Sequence, residues 1–267
     1  MTEGKQRAIV TGGSSGIGEQ IVIALRERGA EVTVLDLNPP QVSEAGFVEC
    51  DVADEGSVIA AVGAAVERMG GLQLAFLNAG IGGVGAVVDL TAEEWDRMQA
   101  VDLRGVFLTM REAAKAMIAG GGGSIVVTTS ICGDLADRRM SHYNAAKAGA
   151  QALVRVAAAE MGRHQVRVNA IQPGVTATPM SATTDATLPG YKDAVSSRTP
   201  LGGVGDPAHV AEAALALSDL VWVTGQVLAA DGGVSLYSPL DIEDFLPAGA
   251  DQPWTAESGD VVGGGAP

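Results

Sequence analysis

The chain has 267 residues, of which 47% are hydrophobic and 18% are charged, and its formal net charge is -15. This length and composition indicate a globular protein with a sizeable core rather than a disordered chain. The acidic excess argues against nucleic acid or an anionic membrane as a partner, because both repel a negatively charged protein.

The two cysteines and the N-terminal residues argue against further classes of protein. Cys50 and Cys132 lie far apart in different predicted elements, so neither a disulfide framework nor a metal site is predicted. The first ten residues lack the apolar core of a signal peptide, and no apolar run approaches the roughly 18 residues of a membrane span. We therefore expect a cytoplasmic protein that does not enter the membrane.

Predicted strands and helices alternate in chain order. Apolar, β-branched runs predict strands at 8–11, 31–36, 47–51, 72–78, 125–130, 166–172 and 226–231. Helical periodicity predicts helices at 17–28, 54–69, 91–118, 141–161 and 207–217. This alternation predicts a Rossmann-type doubly wound α/β fold, with one parallel sheet of about seven strands in a single domain covering residues 1–237.

Two segments depart from this alternation. Residues 179–205 form a long polar interruption, which is typical of a functional loop, and we expect it to shape the substrate site. Residues 238–267 are rich in Pro, Gly and acids. They are either a frayed terminus or an arm at a subunit interface, anchored by Phe245, Leu246 and Trp254.

A glycine-rich loop follows the first predicted strand. Residues 11–18 read TGGSSGIG and open the first helix, so backbone N–H groups can approach a phosphate. Asp36 ends the second strand, where a carboxylate accepts both hydroxyls of an adenosine ribose and repels a 2′-phosphate. Neither Gly13 nor Leu37 is a Lys or Arg that would neutralise that phosphate. NAD is therefore predicted over NADP.

A second constellation lies between residues 130 and 147. Tyr143 and Lys147 are four residues apart, so they share one face of a helix. Ser130 ends the fifth predicted strand. A hydroxyl, a phenol and an ammonium group would thus meet at the mouth of the sheet, which is an arrangement for proton transfer.

The two motifs together resemble the short-chain dehydrogenase/reductase family. The glycine spacing is T-G-x3-G-x-G and the catalytic motif is Y-x3-K, and the resemblance covers roughly residues 5–235. Further segments match in order: Asp51-Val52 resembles the adenine-binding pair, Asn78-Ala79-Gly80 the turn after the fourth strand, and Pro173-Gly174 with Val175 and Thr178 the nicotinamide segment. The resemblance implies that the cofactor is bound by Gly12, Ser14, Ser15, Gly16, Ile17, Gly18, Asp36, Leu37, Asp51, Val52, Asn78, Ala79, Gly80, Tyr143, Lys147, Pro173, Gly174, Val175 and Thr178.

The resemblance also implies catalytic roles. Tyr143 would be the general acid/base, with a free pKa of about 10 that Lys147 and a positive nicotinamide ring would lower. Lys147 would also bind the nicotinamide ribose, and Ser130 would hold the substrate oxygen. Asp102 departs from the family, which usually has Asn there. It would accept from a water leading to Lys147, pair with Lys147, or carry no catalytic weight.

The substrate pocket is expected to be apolar around one secondary alcohol or ketone. Its candidate residues are Ser130, Cys132, Met140, Tyr143, Met180 and Tyr191. Arg138 and Arg139 are expected to be solvated or paired with Asp134 and Asp137. His142 points about 100° away from Tyr143 on the helix, so an exposed or interface position is expected.

The predicted activity is the reversible, NAD-dependent interconversion of an apolar secondary alcohol, for which a cyclic alcohol is one option, and its ketone. Two alternatives stay open: a ketoreductase acting on 3-oxoacyl thioesters, and a non-catalytic nucleotide-sensing protein. A dehalogenase of related fold is excluded by the glycine loop and Lys147. Small residues on the helices near 102–118 and 141–161, together with the resemblance, imply a homotetramer or homodimer.

Overall fold

Seven parallel strands form one sheet in the order β3-β2-β1-β4-β5-β6-β7. The computed structural model describes residues 5–42 and 44–236. The strands are β1 Arg7–Thr11, β2 Glu31–Asp36, β3 Gly46–Glu49, β4 Leu74–Leu77, β5 Gly123–Thr128, β6 Val166–Pro173 and β7 Val227–Ala230. The helices are α1 Gly16–Glu27, α2 Glu55–Met69, α3 Ala92–Gln99, α4 Val106–Ala119, α5 Ser141–Met161, α6 Pro179–Thr187, α7 Tyr191–Arg198 and α8 Pro207–Asp219. The predicted fold class is confirmed.

Helices cover both faces of this sheet, which is why its strands read as continuous apolar runs. On one face, α2, α4 and α5 pack in a cluster that includes Ile9, Val62 and Met117. On the other, α1 and α8 pack in a cluster that includes Val10 and Leu215. Ile9 and Val10 thus point to opposite faces, as successive strand residues must.

The strand order reverses between β1 and β4, and this positions the functional residues. Thr11 at the end of β1 pairs with Leu35 of β2 and Leu77 of β4. Leu77 in turn pairs with Val127 of β5. The carboxyl ends of these strands therefore meet at one edge, where the crevice of a doubly wound sheet binds its ligand.

The helix predicted over 91–118 is not continuous. A capping box at Thr91 and Glu94 begins α3, and a π-helical segment, Ala100–Gly105, separates α3 from α4. The hydrophobic pattern does not reveal this widened turn, because helical periodicity is judged over a window of about eleven or more residues and one wider turn within it is not resolved. Such segments are frequent at functional sites, and this one carries Asp102.

Residues 179–205 also differ from the predicted interruption, since they contain the short helices α6 and α7. Thr178 begins α6 with a capping box to Ser181, and Pro179 occupies the first turn. Neither helix presents a strong apolar stripe, which is why helical periodicity missed them.

Of the described residues, 5–42 and 44–235 belong to one compact unit. The predicted tail, 238–267, and its three anchors lie outside the described residues, so the predicted domain boundary remains a prediction. Within the described part of the chain, no helix has the length and apolar character to cross a membrane.

Candidate active site

The glycine loop after β1 approaches neighbouring backbone more closely than a side chain would allow. Gly12 has φ +63°, and a Cβ there would lie 2.7 Å from Ala79 Cα. A Cβ on Gly18 would overlap the Gly12 carbonyl oxygen. Glycine at both positions lets α1 begin directly behind the loop.

The N-terminus of α1 fits a phosphate group. Ser15 is the N-cap residue, and its side chain makes no capping hydrogen bond. The first N–H groups of α1 have no intrahelical acceptor and carry the positive end of the helix dipole. A Cβ on Gly16 would lie 3.1 Å from Thr178 Cγ2, so the segment before α6 lies against this loop. The residues present therefore suit a dinucleotide pyrophosphate.

The loop is held to β4 by hydrogen bonds that involve Thr11, a residue whose role the sequence analysis missed. Thr11 Oγ1 accepts from the N–H groups of Asn78 and Ala79, at 3.0 and 3.2 Å. The Asn78 side chain donates from Nδ2 to the Gly12 carbonyl at 3.1 Å. Asn78 and Ala79 thus lie against the glycine loop, where the sequence predicts a cofactor.

The Asp36 carboxylate is fixed at the end of β2. Its Oδ2 accepts from the Ser14 N–H at 3.1 Å, and its Oδ1 accepts from the Asn38 N–H at 3.0 Å. The Ser14 hydroxyl donates to the Asn38 carbonyl at 2.5 Å. A carboxylate oriented by two amides beside the glycine loop is well placed for a ribose, and Leu37 beside it is exposed.

The other predicted cofactor residues lie along the same edge. Asp51 follows β3 and accepts from the Ala53 N–H at 2.9 Å, while Val52 is buried and packs against Gly105. Pro173 ends β6, and Gly174 packs against Asp231 so closely that a Cβ would lie 2.9 Å from its Cβ. Val175 leads from there to Thr178.

Ser130, Tyr143 and Lys147 are brought together, as the sequence predicts. Ser130 caps a short 3-10 helix, Ile131–Gly133, and its Oγ accepts from the Cys132 N–H at 3.2 Å. Tyr143 and Lys147 lie one turn apart near the start of α5, with Lys147 Nζ 5.4 Å from the centre of the Tyr143 ring. Ser130 is near enough to Tyr143 to lower the pKa of its phenol slightly.

Lys147 is buried and has two oxygen partners. Its Nζ donates to the Thr128 carbonyl at 3.3 Å and lies 3.1 Å from Asp102 Oδ2. Asp102 is fully buried, and its other oxygen accepts from the Ile81 N–H at 2.8 Å. Among the alternatives for Asp102, direct pairing with Lys147 is therefore the observed one.

Burial and neighbouring charges shift the pKa values of both Lys147 and Tyr143. Burial is the largest single influence on Lys147 and lowers its pKa. The charge of Asp102, its hydrogen bond and the neighbouring Tyr143 together outweigh burial, so the pKa of Lys147 lies above its ordinary value. Burial raises the pKa of Tyr143; Lys147 lowers that pKa, and Asp102 raises it again. The net pKa of Tyr143 is above its ordinary value, chiefly because burial outweighs the effect of Lys147, and Asp102 offsets part of that effect.

Gly80 is the backbone neighbour of this ion pair. A Cβ at Gly80 would lie 3.0 Å from Asp102 Oδ2 and 3.4 Å from Lys147 Nζ. The turn Asn78-Ala79-Gly80 therefore contacts the glycine loop through Asn78 and the ion pair through Gly80.

Of the predicted pocket residues, Cys132 contacts Ser130 directly, and the others lie on separate segments. Cys132 is buried, and its thiol donates to Asp137 Oδ2 at 3.0 Å. Met180 on α6 is partly exposed and lies over Gly82, while Met140 pairs with Gly85 in an isolated bridge. Tyr191 begins α7 and is half-buried.

Of the two expectations about the flanking residues, one agrees with the structure and one is wrong. Arg138 and Arg139 are exposed, and across the described ranges neither forms an ion pair with Asp134 or Asp137, so they are solvated rather than paired. Asp134 instead accepts from Gln172 Nε2 at 2.6 Å. His142 is not exposed: it is 3% accessible, because it faces Gly83 rather than solvent.

Comparison with known proteins agrees with this geometry. A family model described as "Enoyl-(Acyl carrier protein) reductase" matches residues 12–235. The (-)-isopiperitenol/(-)-carveol dehydrogenase of Mentha piperita is 38% identical, over 85% of this chain and 92% of its own length. The 2,5-dichloro-2,5-cyclohexadiene-1,4-diol dehydrogenase of Sphingobium indicum is 38% identical, over 84% of this chain and 95% of its own.

Solved structures agree as well. A short-chain type dehydrogenase/reductase from Mycobacterium marinum superposes with a TM-score of 0.81 at 32% identity, over 86% of this chain and 95% of that one. The fold, the glycine loop and the Tyr143–Lys147 pair, together with these matches, place the protein among oxidoreductases. The chain belongs to the short-chain dehydrogenase/reductase family.

Proposed function

We propose that the protein is an NAD-dependent oxidoreductase that interconverts a secondary ring alcohol and its ketone. The observation that carries the proposal is the meeting of Ser130, Tyr143 and Lys147 beside the glycine loop. The names of two relatives, which act on carveol and on a cyclohexadiene diol, support a ring alcohol as the substrate.

In this proposal each residue has a defined task. The Ser130 hydroxyl donates to the substrate oxygen and keeps it beside the Tyr143 hydroxyl. Tyr143 takes the alcohol proton during oxidation and returns it during reduction. A bound nicotinamide supplies the hydride acceptor or donor. Lys147 stabilises the Tyr143 phenolate, and its own charge is held by Asp102 and the Thr128 carbonyl.

The preference for NAD rests on Asp36. Two backbone amides hold its carboxylate in place, so it cannot swing away from a 2′-phosphate without breaking two hydrogen bonds. Leu37 and Gly13 supply no positive charge nearby. A ribose with two free hydroxyls satisfies the carboxylate, whereas a phosphate would repel it.

The assembly and location remain part of the proposal. Phe107 and Ile118 on α4 and Val156 on α5 are large apolar residues that stay exposed on the helices expected to form subunit contacts. We expect a homotetramer, or a homodimer, in the cytoplasm with no partner other than a small substrate. Light scattering coupled to size exclusion measures the mass of the assembly directly.

The direct test is NADH formation from NAD+ with a panel of linear, cyclic, aromatic and terpenoid secondary alcohols. A 3-oxoacyl thioester with NADH and NADPH belongs in the panel, because the matching family model is described by an acyl-carrier-protein activity. We expect turnover of a ring alcohol that is lost in Tyr143→Phe. Turnover of the thioester alone would favour the ketoreductase. NADH binding without any turnover would favour the sensing protein.

A further inference from the structure

The loop from Asp134 to Met140 is firmly held beside the reacting group. Asp134 is bound by Gln172, and Asn144 Nδ2 donates to the Leu135 carbonyl at 2.6 Å. Gly85 N–H donates to the Arg139 carbonyl at 2.7 Å. Arg139 has φ +72°, a left-handed conformation that costs a non-glycine residue free energy and persists only where surrounding contacts impose it.

This loop presents the carboxylate of Asp137 next to the site. Asp137 Oδ2 accepts the Cys132 thiol at 3.0 Å, and Cys132 N–H donates to the Ser130 hydroxyl. Within the described ranges, Asp137 Oδ1 accepts no hydrogen bond and no cation pairs with the carboxylate. The exposed Asp137 carboxylate therefore keeps a free acceptor, and Cys132 links it to the Ser130 hydroxyl through two hydrogen bonds.

Tyr191, at the start of α7, is influenced by the same carboxylate. Burial raises the pKa of its phenol, and the negative charge of Asp137 raises that pKa further. Tyr191 is half-buried and, across the described residues, makes no side-chain hydrogen bond. Its hydroxyl is therefore an unused donor and acceptor at the margin of the pocket.

We propose that Asp137 and Tyr191 bind a second hydroxyl group of the substrate, so that the preferred substrate is a ring diol rather than a simple ring alcohol. This inference rests on the proposed function and refines its substrate class. It also modifies the expectation of a wholly apolar pocket. The carboxylate can only accept, so the second substituent must donate a proton: a hydroxyl fits, whereas an ether or a ketone does not.

Matched substrates isolate this single hydrogen bond. We would compare 1,2-, 1,3- and 1,4-cyclohexanediol with the corresponding mono-methyl ethers and with cyclohexanol, using NAD+. At least one diol should exceed its ether and cyclohexanol in kcat/KM by about tenfold or more, the effect expected of a hydrogen bond to a charged group. Equal values for every diol and its ether would overturn the proposal.

Variants then assign the effect to the residues. Asp137→Asn removes the charge at nearly constant shape, and Asp96→Asn on the exposed face of α3 is a control with the same change of charge. The diol-to-ether ratio should fall about tenfold in Asp137→Asn, fall less in Tyr191→Phe, and stay the same in Asp96→Asn. If Asp137→Asn lowered kcat/KM for the diol and for its ether equally, Asp137 would serve only to hold Cys132, and the proposal would be wrong.

A binding measurement keeps this test separate from the proposed function. Calorimetry with NADH present measures the affinity of each diol and ether without turnover. Turnover of cyclohexanol that depends on Tyr143, without a diol preference, would overturn only the present inference. Absence of all turnover would overturn the proposed function, and tighter binding of diols than ethers, lost in Asp137→Asn, would still support the second hydroxyl site.

Discussion

Asp102 and Lys147 form an ion pair in the interior, with 3.1 Å between Oδ2 and Nζ and with both side chains nearly inaccessible to solvent. Removal of either partner would leave an uncompensated charge in the protein interior. The ion pair also adjoins Tyr143, the proposed base. Lys147 lowers the pKa of Tyr143 and Asp102 raises it, so the pair influences the pH at which Tyr143 ionises.

The first prediction concerns the pH dependence of Asp102→Asn. Asp102 raises the pKa of both Tyr143 and Lys147, and the substitution removes this effect on each. In alcohol oxidation the rate rises with ionisation of Tyr143, so the rising limb of the pH–rate profile should move to lower pH. Loss of the Lys147 charge should also begin at lower pH, which narrows the profile at its alkaline end. An unchanged profile of kcat/KM, with Asp96→Asn as the control, would contradict this.

The second prediction concerns stability. Lys147→Met leaves the Asp102 carboxylate buried without its cation, and we expect it to lower the free energy of unfolding by about 3 kcal/mol. Adding Asp102→Asn should recover part of that loss, because no buried charge then remains. Urea unfolding of both single variants and the double variant measures the coupling. Strictly additive losses would mean that the two side chains do not interact energetically.

The third prediction concerns the cofactor. Asp36→Asn removes the charge that repels a 2′-phosphate, so the ratio of kcat/KM for NADP+ to that for NAD+ should rise about tenfold or more. The Asp96→Asn control carries the same change of net charge far from the ribose position. A ratio that changed equally in both variants would trace the effect to the overall acidic charge instead.

The fourth prediction compares two glycines. Gly80→Ala places a Cβ 3.0 Å from Asp102 Oδ2, and it should displace the ion pair and lower kcat at least about tenfold. Gly63→Ala lies on the exposed side of α2 with no atom within 4 Å of the new Cβ, so it should stabilise the protein by about 0.5–1 kcal/mol. Thermal unfolding measures the stability of both variants, and NADH formation measures their activity. Normal activity in Gly80→Ala would show that the pair tolerates displacement.

The fifth prediction concerns the two thiols. Burial raises the pKa of Cys50 to about 11, and burial followed by the hydrogen bond to Asp137 raises that of Cys132 to about 12. At pH 8 both are protonated, so iodoacetamide should label native Cys50 roughly a hundred times, and native Cys132 roughly a thousand times, more slowly than the urea-unfolded chain. The native labelling rate should keep rising with pH to at least 10. Fast labelling of native protein at pH 8, mapped by mass spectrometry, would contradict this.

Features that depend on nearby residues in the chain could be predicted from the sequence. The strands, the glycine loop and the Tyr143–Lys147 spacing follow from periodicity over a few residues. The hydrogen bonds of Thr11 to Asn78 and Ala79 join segments almost seventy residues apart, and no local pattern signals such a pairing.

The burial of His142 and the contact between Asp137 and Cys132 were not predicted, and each has a specific physical cause. The 100° rotation of His142 from Tyr143 is correct, but Gly83 and α3 cover that side of α5, and Gln99 Nε2 donates to the His142 carbonyl at 2.8 Å. The path of residues 134–140 depends on the left-handed conformation of Arg139. An arginine does not favour this conformation, so the sequence gives no sign of it. The contact of Asp137 with Cys132 was therefore beyond sequence reasoning.

The π-helical segment Ala100–Gly105 links the direction of Asp102 to the length of the chain. Its turn is wider than an α-helical turn and accommodates one extra residue, so removal of one residue would restore ordinary α-helical geometry without rotating α3 relative to α4. The apolar contacts of both helices could then persist, while residues within the segment would change direction by up to about 100°. We therefore expect a one-residue deletion beside Asp102 to separate its carboxylate from Lys147 and yet leave the fold intact.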